Sequence, residues 1–119
     1  GVSTAWAYAR MAAKPETYLP LAGAEARLAA WRDDARVPAS ALLFNNMEPV
    51  VFAKYLALPV LLEQLRAKFG LTARMSGSGS ACFALLGDAD GGDEKIPAIR
   101  AAIRGAWGES ASAIETRLG

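Results

Sequence analysis

The stretch Met75-Ser76-Gly77-Ser78-Gly79-Ser80-Ala81 limits what this chain can fold into more than any other. Two glycines and three hydroxyls separate Leu71-Thr72-Ala73-Arg74-Met75 from the continuously apolar Ala81-Cys82-Phe83-Ala84-Leu85-Leu86. The second run has the length and composition of a strand buried on both faces. Glycine reaches positive φ and lets the backbone come close to a ligand. Successive main-chain N–H groups in such a turn can form a concave anion site, and alternating serine hydroxyls add uncharged donors. Two readings stay open: a phosphate cradle at Ser76, Gly77, Ser78, Gly79 and Ser80, or a tight hairpin that glycine merely closes. No Lys-Ser or Lys-Thr follows the glycines, and the next element is a strand. Neither the P-loop nor the dinucleotide-binding fingerprint therefore applies.

The 119 residues make a single domain, 1–119, which at this size buries roughly 65% of the surface of its unfolded chain. Thirteen basic and 12 acidic residues are interspersed, for a net charge of +1, so no basic stripe supports nucleic-acid binding. The absence of histidine removes the commonest general base and metal ligand. One cysteine, Cys82, lies in the apolar run. It cannot form an internal disulfide, which points to a reducing compartment. It reads as a small core hydrophobe, with a reactive thiol as the alternative. Neither a signal peptide nor a spanning segment is read, so a cytoplasmic protein that does not engage membranes is expected.

Along the chain, Val2-Ser3-Thr4 reads as a strand end or entry loop, with Ser3 or Thr4 capping a helix over Ala5 to Met11. Trp6 and Tyr8, two residues apart, point about 200° apart on that helix, so one can pack while the other faces a ligand; both packing is the alternative. Pro15 to Gly23 is expected as a non-helical connector. Ala24 to Ala35 reads as an amphipathic helix burying Ala24, Leu28, Trp31 and Ala35. Asn45 or Asn46 is expected to cap the next helix, with Pro49 in its first turn and Glu48 favouring its dipole; a metal-ligand role for Glu48 is the less favoured alternative. Leu58, Leu61, Leu62, Leu65 and Phe69 mark a further helix ending at Gly70. Asp88, Asp90 and Asp93 lack the twelve-residue calcium-loop pattern. Asp93-Glu94 starts a helix with Pro97 in its first turn and Ile96, Ile99 and Ile103 inside. Ser112 to Leu118 is expected as a closing strand. Mixed helices and strands give the α+β class, most economically a ferredoxin-like antiparallel sheet with helices mainly on one face. Only the end of its first strand falls within the sequence.

Three blocks carry a resemblance to a known family: Gly1-Val2-Ser3-Thr4-Ala5-Trp6-Ala7-Tyr8, Phe44-Asn45-Asn46-Met47-Glu48-Pro49-Val50, and Arg74 to Ala84 around the glycine turn. Together they resemble the C-terminal domain of the GHMP kinases. The resemblance implies ATP-dependent phosphorylation of a cytidine-diphosphate-linked alcohol, with Thr4 contacting substrate and Tyr8 against the cytosine ring. Ser76 to Ser80 would lie in the nucleotide cleft beside the phosphates. ATP and Mg²⁺ would be held mainly by an N-terminal domain that this sequence does not contain. No Lys or Asp here matches the family's catalytic pair, so the chain holds no catalytic or metal residue of its own and is expected to be inactive alone. Asn46 stands where the family carries an acidic residue. Another GHMP kinase, a stand-alone regulatory ligand-binding domain, and a homodimer formed through an open sheet edge are the alternatives.

Overall fold

The leucines at helical spacing set the architecture. In the computed structural model, which describes residues 2–87 and 92–117, Leu58, Leu61, Leu62 and Leu65 are all buried on one face of helix α4 (Ala57–Phe69). Pro59 sits in its first turn, where a missing N–H is harmless. Gly70 ends it in the left-handed conformation at φ +68, with its N–H donating to the Arg66 carbonyl. Among the described residues, four further helices precede or follow this one: α1 (Thr4–Ala12), α2 (Leu21–Asp33), α3 (Glu48–Lys54) and α5 (Ile96–Trp107). Short 3₁₀ turns at Pro15–Thr17, Ala39–Leu42 and Gly92–Lys95 link them.

Strands β1 (Ala73–Met75) and β2 (Cys82–Ala84) pair antiparallel, with Met75 opposite Cys82 and Ala73 opposite Ala84. These four share one face and pack against the helices. Met75 joins Ala7, Met11, Met47, Val50, Val51 and Leu58, while Ala73 joins Leu61, Leu62, Leu65 and Leu71. Ile99 and Ile103 of α5 cover the second cluster, and Trp107 closes the α5 end by donating its indole N–H to the Ala57 carbonyl at 3.0 Å. Arg74 and Phe83, opposite each other in the register, occupy the other face. The architecture is α+β, with helices against one side of an antiparallel pair.

Four expectations are corrected. The run Ala81 to Leu86 is not buried on both faces: Phe83 is exposed because one side of β2 meets helices and the other does not, and Leu86, past the end of the strand, is exposed as well. Helix α2 begins at Leu21, inside the expected connector, since Pro20 can precede a helix even though it cannot continue one. Its apolar stripe is not buried, and Leu28 is 51% exposed; the alanine-rich helix touches mainly the Ala39–Leu42 turn, where Arg27 donates to the Ala41 and Leu43 carbonyls. Residues 111–117 form no strand, and Ile114 is 89% exposed. A period of two is not enough without an adjacent edge to supply the ladder. Asp88 and Asp90 lie outside the described residues, as does Leu118.

The two leucine environments separate by experiment. Leu61→Ala should cost about 2–5 kcal/mol of unfolding free energy, as for a core truncation, whereas Leu28→Ala should stay within about 0.5 kcal/mol. Urea denaturation followed by circular dichroism checks both.

Candidate functional site

The site is assembled from the start of α1, the segment entering α3, and the glycine turn between β1 and β2. Ser3 caps α1, its hydroxyl accepting from the Trp6 N–H at 3.4 Å. That leaves Thr4 free to reach across the fold, where its hydroxyl shares a hydrogen bond of 2.9 Å with that of Ser78. The two aromatics of α1 then diverge. Trp6 packs inward, edge-on to Tyr55 with centroids 6.0 Å apart, and takes the Lys54 ammonium over its ring at 4.4 Å. Tyr8 points out, 57% exposed.

Within the turn, Gly77 and Gly79 have φ of +57 and +85. Gly79 is required twice over, because a Cβ there would sit 2.8 Å from Met75 Sδ and 3.3 Å from Val2 Cγ2. The Ser76 N–H donates to the Ala81 carbonyl at 2.8 Å, and the Gly79 N–H to the Ser76 carbonyl at 3.1 Å. The N–H groups of Gly77, Ser78 and Ser80 have no acceptor among the described residues. Those donors, with the hydroxyls of Ser78 and Thr4, are the groups that the turn can offer an anion.

Two residues hold the turn, and sequence reasoning gave both another job. The Asn45 carboxamide donates to the carbonyls of Met75 (2.7 Å) and Gly77 (2.8 Å) and accepts from the Met47 N–H at 2.9 Å. Its bond to Met47 retains a turn-forming role at the entry to α3, but its donors fasten the glycine turn. Glu48 opens α3, where its charge favours the helix dipole as expected, but its carboxylate is also committed elsewhere. Its carboxylate is buried, 8% exposed, and accepts from the Met75 N–H at 2.9 Å and from Arg74 Nη1 at 3.1 Å. A signal was present in the sequence: Glu48 and Val51 are three apart on a helix and so share a face, and Val51 is fully buried.

An open groove of about 510 Å³ runs beside the turn. Tyr8, Ser76 and Gly77 line it with Asn45 and Asn46. Three further rings, Tyr18, Phe44 and Phe83, also line it; none was singled out from the sequence, because exposed aromatics have no periodic signature. Thr4 and Ser78 meet each other, and Ser78, Gly79 and Ser80 complete the turn without lining this groove. Among the described residues, no group of three or more His, Cys, Asp or Glu gathers where it could hold a metal, and none of the residues lining the groove is acidic.

Cys82 lies behind the turn, its thiol donating to the Ser80 carbonyl at 3.5 Å. Burial, and then the nearby Glu48 charge, push its pKa from 9.0 up to about 11. The raised value favours the neutral thiol in the fold. Its contribution to stability is thus fully present below the unfolded pKa near 9.0 and is lost as pH rises through about 11.

The GHMP kinases C terminal family model matches residues 25–108. A 4-diphosphocytidyl-2-C-methyl-D-erythritol kinase of Synechococcus sp. (strain CC9902) is 36% identical over 118 residues, covering 89% of this chain and 38% of that protein. One of the same name from Nitratidesulfovibrio vulgaris (strain DP4) is 39% identical over 85 residues, covering 71% of this chain and 29% of that protein. The chain therefore spans less than two fifths of the length of these relatives. No solved structure matches it.

Alkylation tests the state of the thiol. At pH 8, iodoacetamide should modify Cys82 in the folded chain about a hundredfold more slowly than in urea-unfolded chain, with the folded rate still climbing above pH 10. Equal rates in the two states would show an ordinary exposed thiol.

Proposed function

The chain belongs to the GHMP kinases C-terminal family, and from that premise we propose that it is the substrate-binding domain of an ATP-dependent kinase acting on 4-diphosphocytidyl-2-C-methyl-D-erythritol. The reaction would transfer the γ-phosphoryl group of ATP to the substrate's 2-hydroxyl, a step of non-mevalonate isoprenoid biosynthesis in the cytoplasm. The observation that carries the reading is the 2.9 Å contact between Thr4 and Ser78. It ties the start of α1, and with it Tyr8, to the glycine turn and its spare backbone donors.

In this reading, the Tyr8 ring stacks on the cytosine, a contact worth about 1–3 kcal/mol per base. Thr4 contacts the substrate, and the turn Ser76, Gly77, Ser78, Gly79 and Ser80 lines the cleft beside the phosphates. The turn's spare amides suit phosphate oxygens, since fixed N–H dipoles stabilise anions without a charged side chain. Phosphoryl transfer needs positioning together with cations that neutralise the transferring group. ATP and Mg²⁺ would be bound mainly by an N-terminal domain outside this sequence. We assign to that domain the strand that would complete a ferredoxin-like sheet. A chain of residues 1–119 alone then binds substrate but does not turn over ATP.

Calorimetry on the 119-residue chain tests this. It should bind 4-diphosphocytidyl-2-C-methyl-D-erythritol in preference to mevalonate or homoserine, and Tyr8→Ala should weaken that binding about 5- to 150-fold. No preference for the cytidine-linked alcohol, or ATP-dependent turnover by the isolated chain, would overturn the assignment.

A further inference from the structure

The glycine turn is held one peptide plane at a time, and one plane depends on a side chain outside the turn. The Met75–Ser76 peptide is fixed at both ends: its carbonyl accepts from Asn45 Nδ2 at 2.7 Å, and its N–H donates to the Ala81 carbonyl at 2.8 Å. The Ser76–Gly77 peptide is fixed from within the turn, its carbonyl accepting from the Gly79 N–H at 3.1 Å. The Gly77–Ser78 peptide has neither support. Its N–H has no acceptor among the described residues, and its carbonyl is held there by Asn45 Nδ2, at 2.8 Å. Gly77 has no Cβ and sits at φ +57, so it offers little steric resistance to turning this plane over.

We propose that Asn45 is the positioning residue of the anion site: by holding the Gly77 carbonyl, it keeps the Ser78 N–H presented to a bound phosphate. The inference rests on the reading that this turn lies beside the substrate's phosphates. A trans peptide is planar and carries its N–H and its carbonyl on opposite sides. Fixing the Gly77 carbonyl toward Asn45 therefore fixes the Ser78 N–H away from it. An inverted plane would set the carbonyl oxygen against the phosphate oxygens and aim the Ser78 N–H at the amide hydrogens of Asn45. Both contacts are repulsive. The carboxamide itself has one usable orientation, because its oxygen accepts from the Met47 N–H at 2.9 Å and its NH₂ group must then face the two carbonyls. An aspartate could keep the bond to Met47, but it has no hydrogen to give and would set its charge against both carbonyl oxygens.

Calorimetry on the 119-residue chain tests the proposal, with cytidine 5′-diphosphate as ligand and cytidine as the control lacking phosphate. Asn45→Ala removes the donors without adding charge, and Asn45→Asp keeps the acceptor for Met47. Each should weaken cytidine 5′-diphosphate about three- to tenfold and leave cytidine binding unchanged. In nitrogen-15 NMR spectra, which also show that the variants are folded, cytidine 5′-diphosphate should shift the Ser78 amide of the unaltered chain and leave it in place in Asn45→Ala. If both variants bind the diphosphate as tightly as the unaltered chain, or lose both ligands equally, positioning by Asn45 is refuted and the substrate assignment stands. If the unaltered chain binds neither ligand, both fall.

Discussion

A carboxylate buried between a helix and a strand is the constraint on which the groove depends. Glu48 leaves water to accept from the Met75 N–H and from Arg74. Desolvating a carboxylate is costly unless such partners replace its hydration. The pairing is imperfect, since Arg74 Nε is buried without a partner, yet it fixes where β1 ends. From that point Asn45 takes over, holding the Met75 and Gly77 carbonyls. Helix α3 and the segment entering it thus grip the turn through one charged and one neutral side chain. The turn's other anchor is the Thr4–Ser78 contact with α1. Because the carbonyls are the groups being held, the N–H groups of Gly77 and Ser78 stay available.

The same arrangement explains why aromatic surface is left open beside the turn. The helices bury one face of the β1–β2 pair and leave Arg74 and Phe83 on the other. Tyr8 sits on the outward side of α1, opposite Trp6, whose ring is committed to Tyr55 and Lys54. Phe44 is displayed by a segment that Arg27 holds from α2. Helix α2 buries no residue of its own, so its visible contribution is that one guanidinium. A groove lined by four rings, two carboxamides and the Ser76–Gly77 end of the turn suits a ligand that is both planar and polar.

Where local chemistry decides the outcome, the sequence was readable. The α4 leucines, the Gly70 stop, the Ser3 cap and the glycine turn flanked by strands all follow from spacing and backbone freedom. The divergence of Trp6 and Tyr8 followed from 100° per residue, although which of them faced inward did not. Where a distant partner decides, the reading failed. Ile114, Thr116 and Leu118 alternate as a strand does, but alternation cannot report whether a neighbouring edge exists. The α2 stripe was visible, but a stripe of alanines around Leu28 and Trp31 buries little area, and among the described residues it meets mainly the short Ala39–Leu42 turn. Glu48 was read as a helix-start acid, which it is, but its grip on β1 was missed because that partner lies 27 positions on, at Met75. The groove's walls, Phe44 and Phe83, come together only through the tertiary fold.

The clamp is tested most directly by amide hydrogen exchange at Met75 in the unaltered chain and in Glu48→Gln. Glutamine keeps the volume and an acceptor but removes the charge that strengthens the bond from the Met75 N–H and pairs with Arg74. The Met75 amide should then exchange about five- to tenfold faster, reflecting a loss of about 1 kcal/mol, while the amides of Leu61 and Leu65 in α4 keep their rates. Unchanged exchange at Met75, or a rise shared equally by α4, would contradict a local clamp at Glu48.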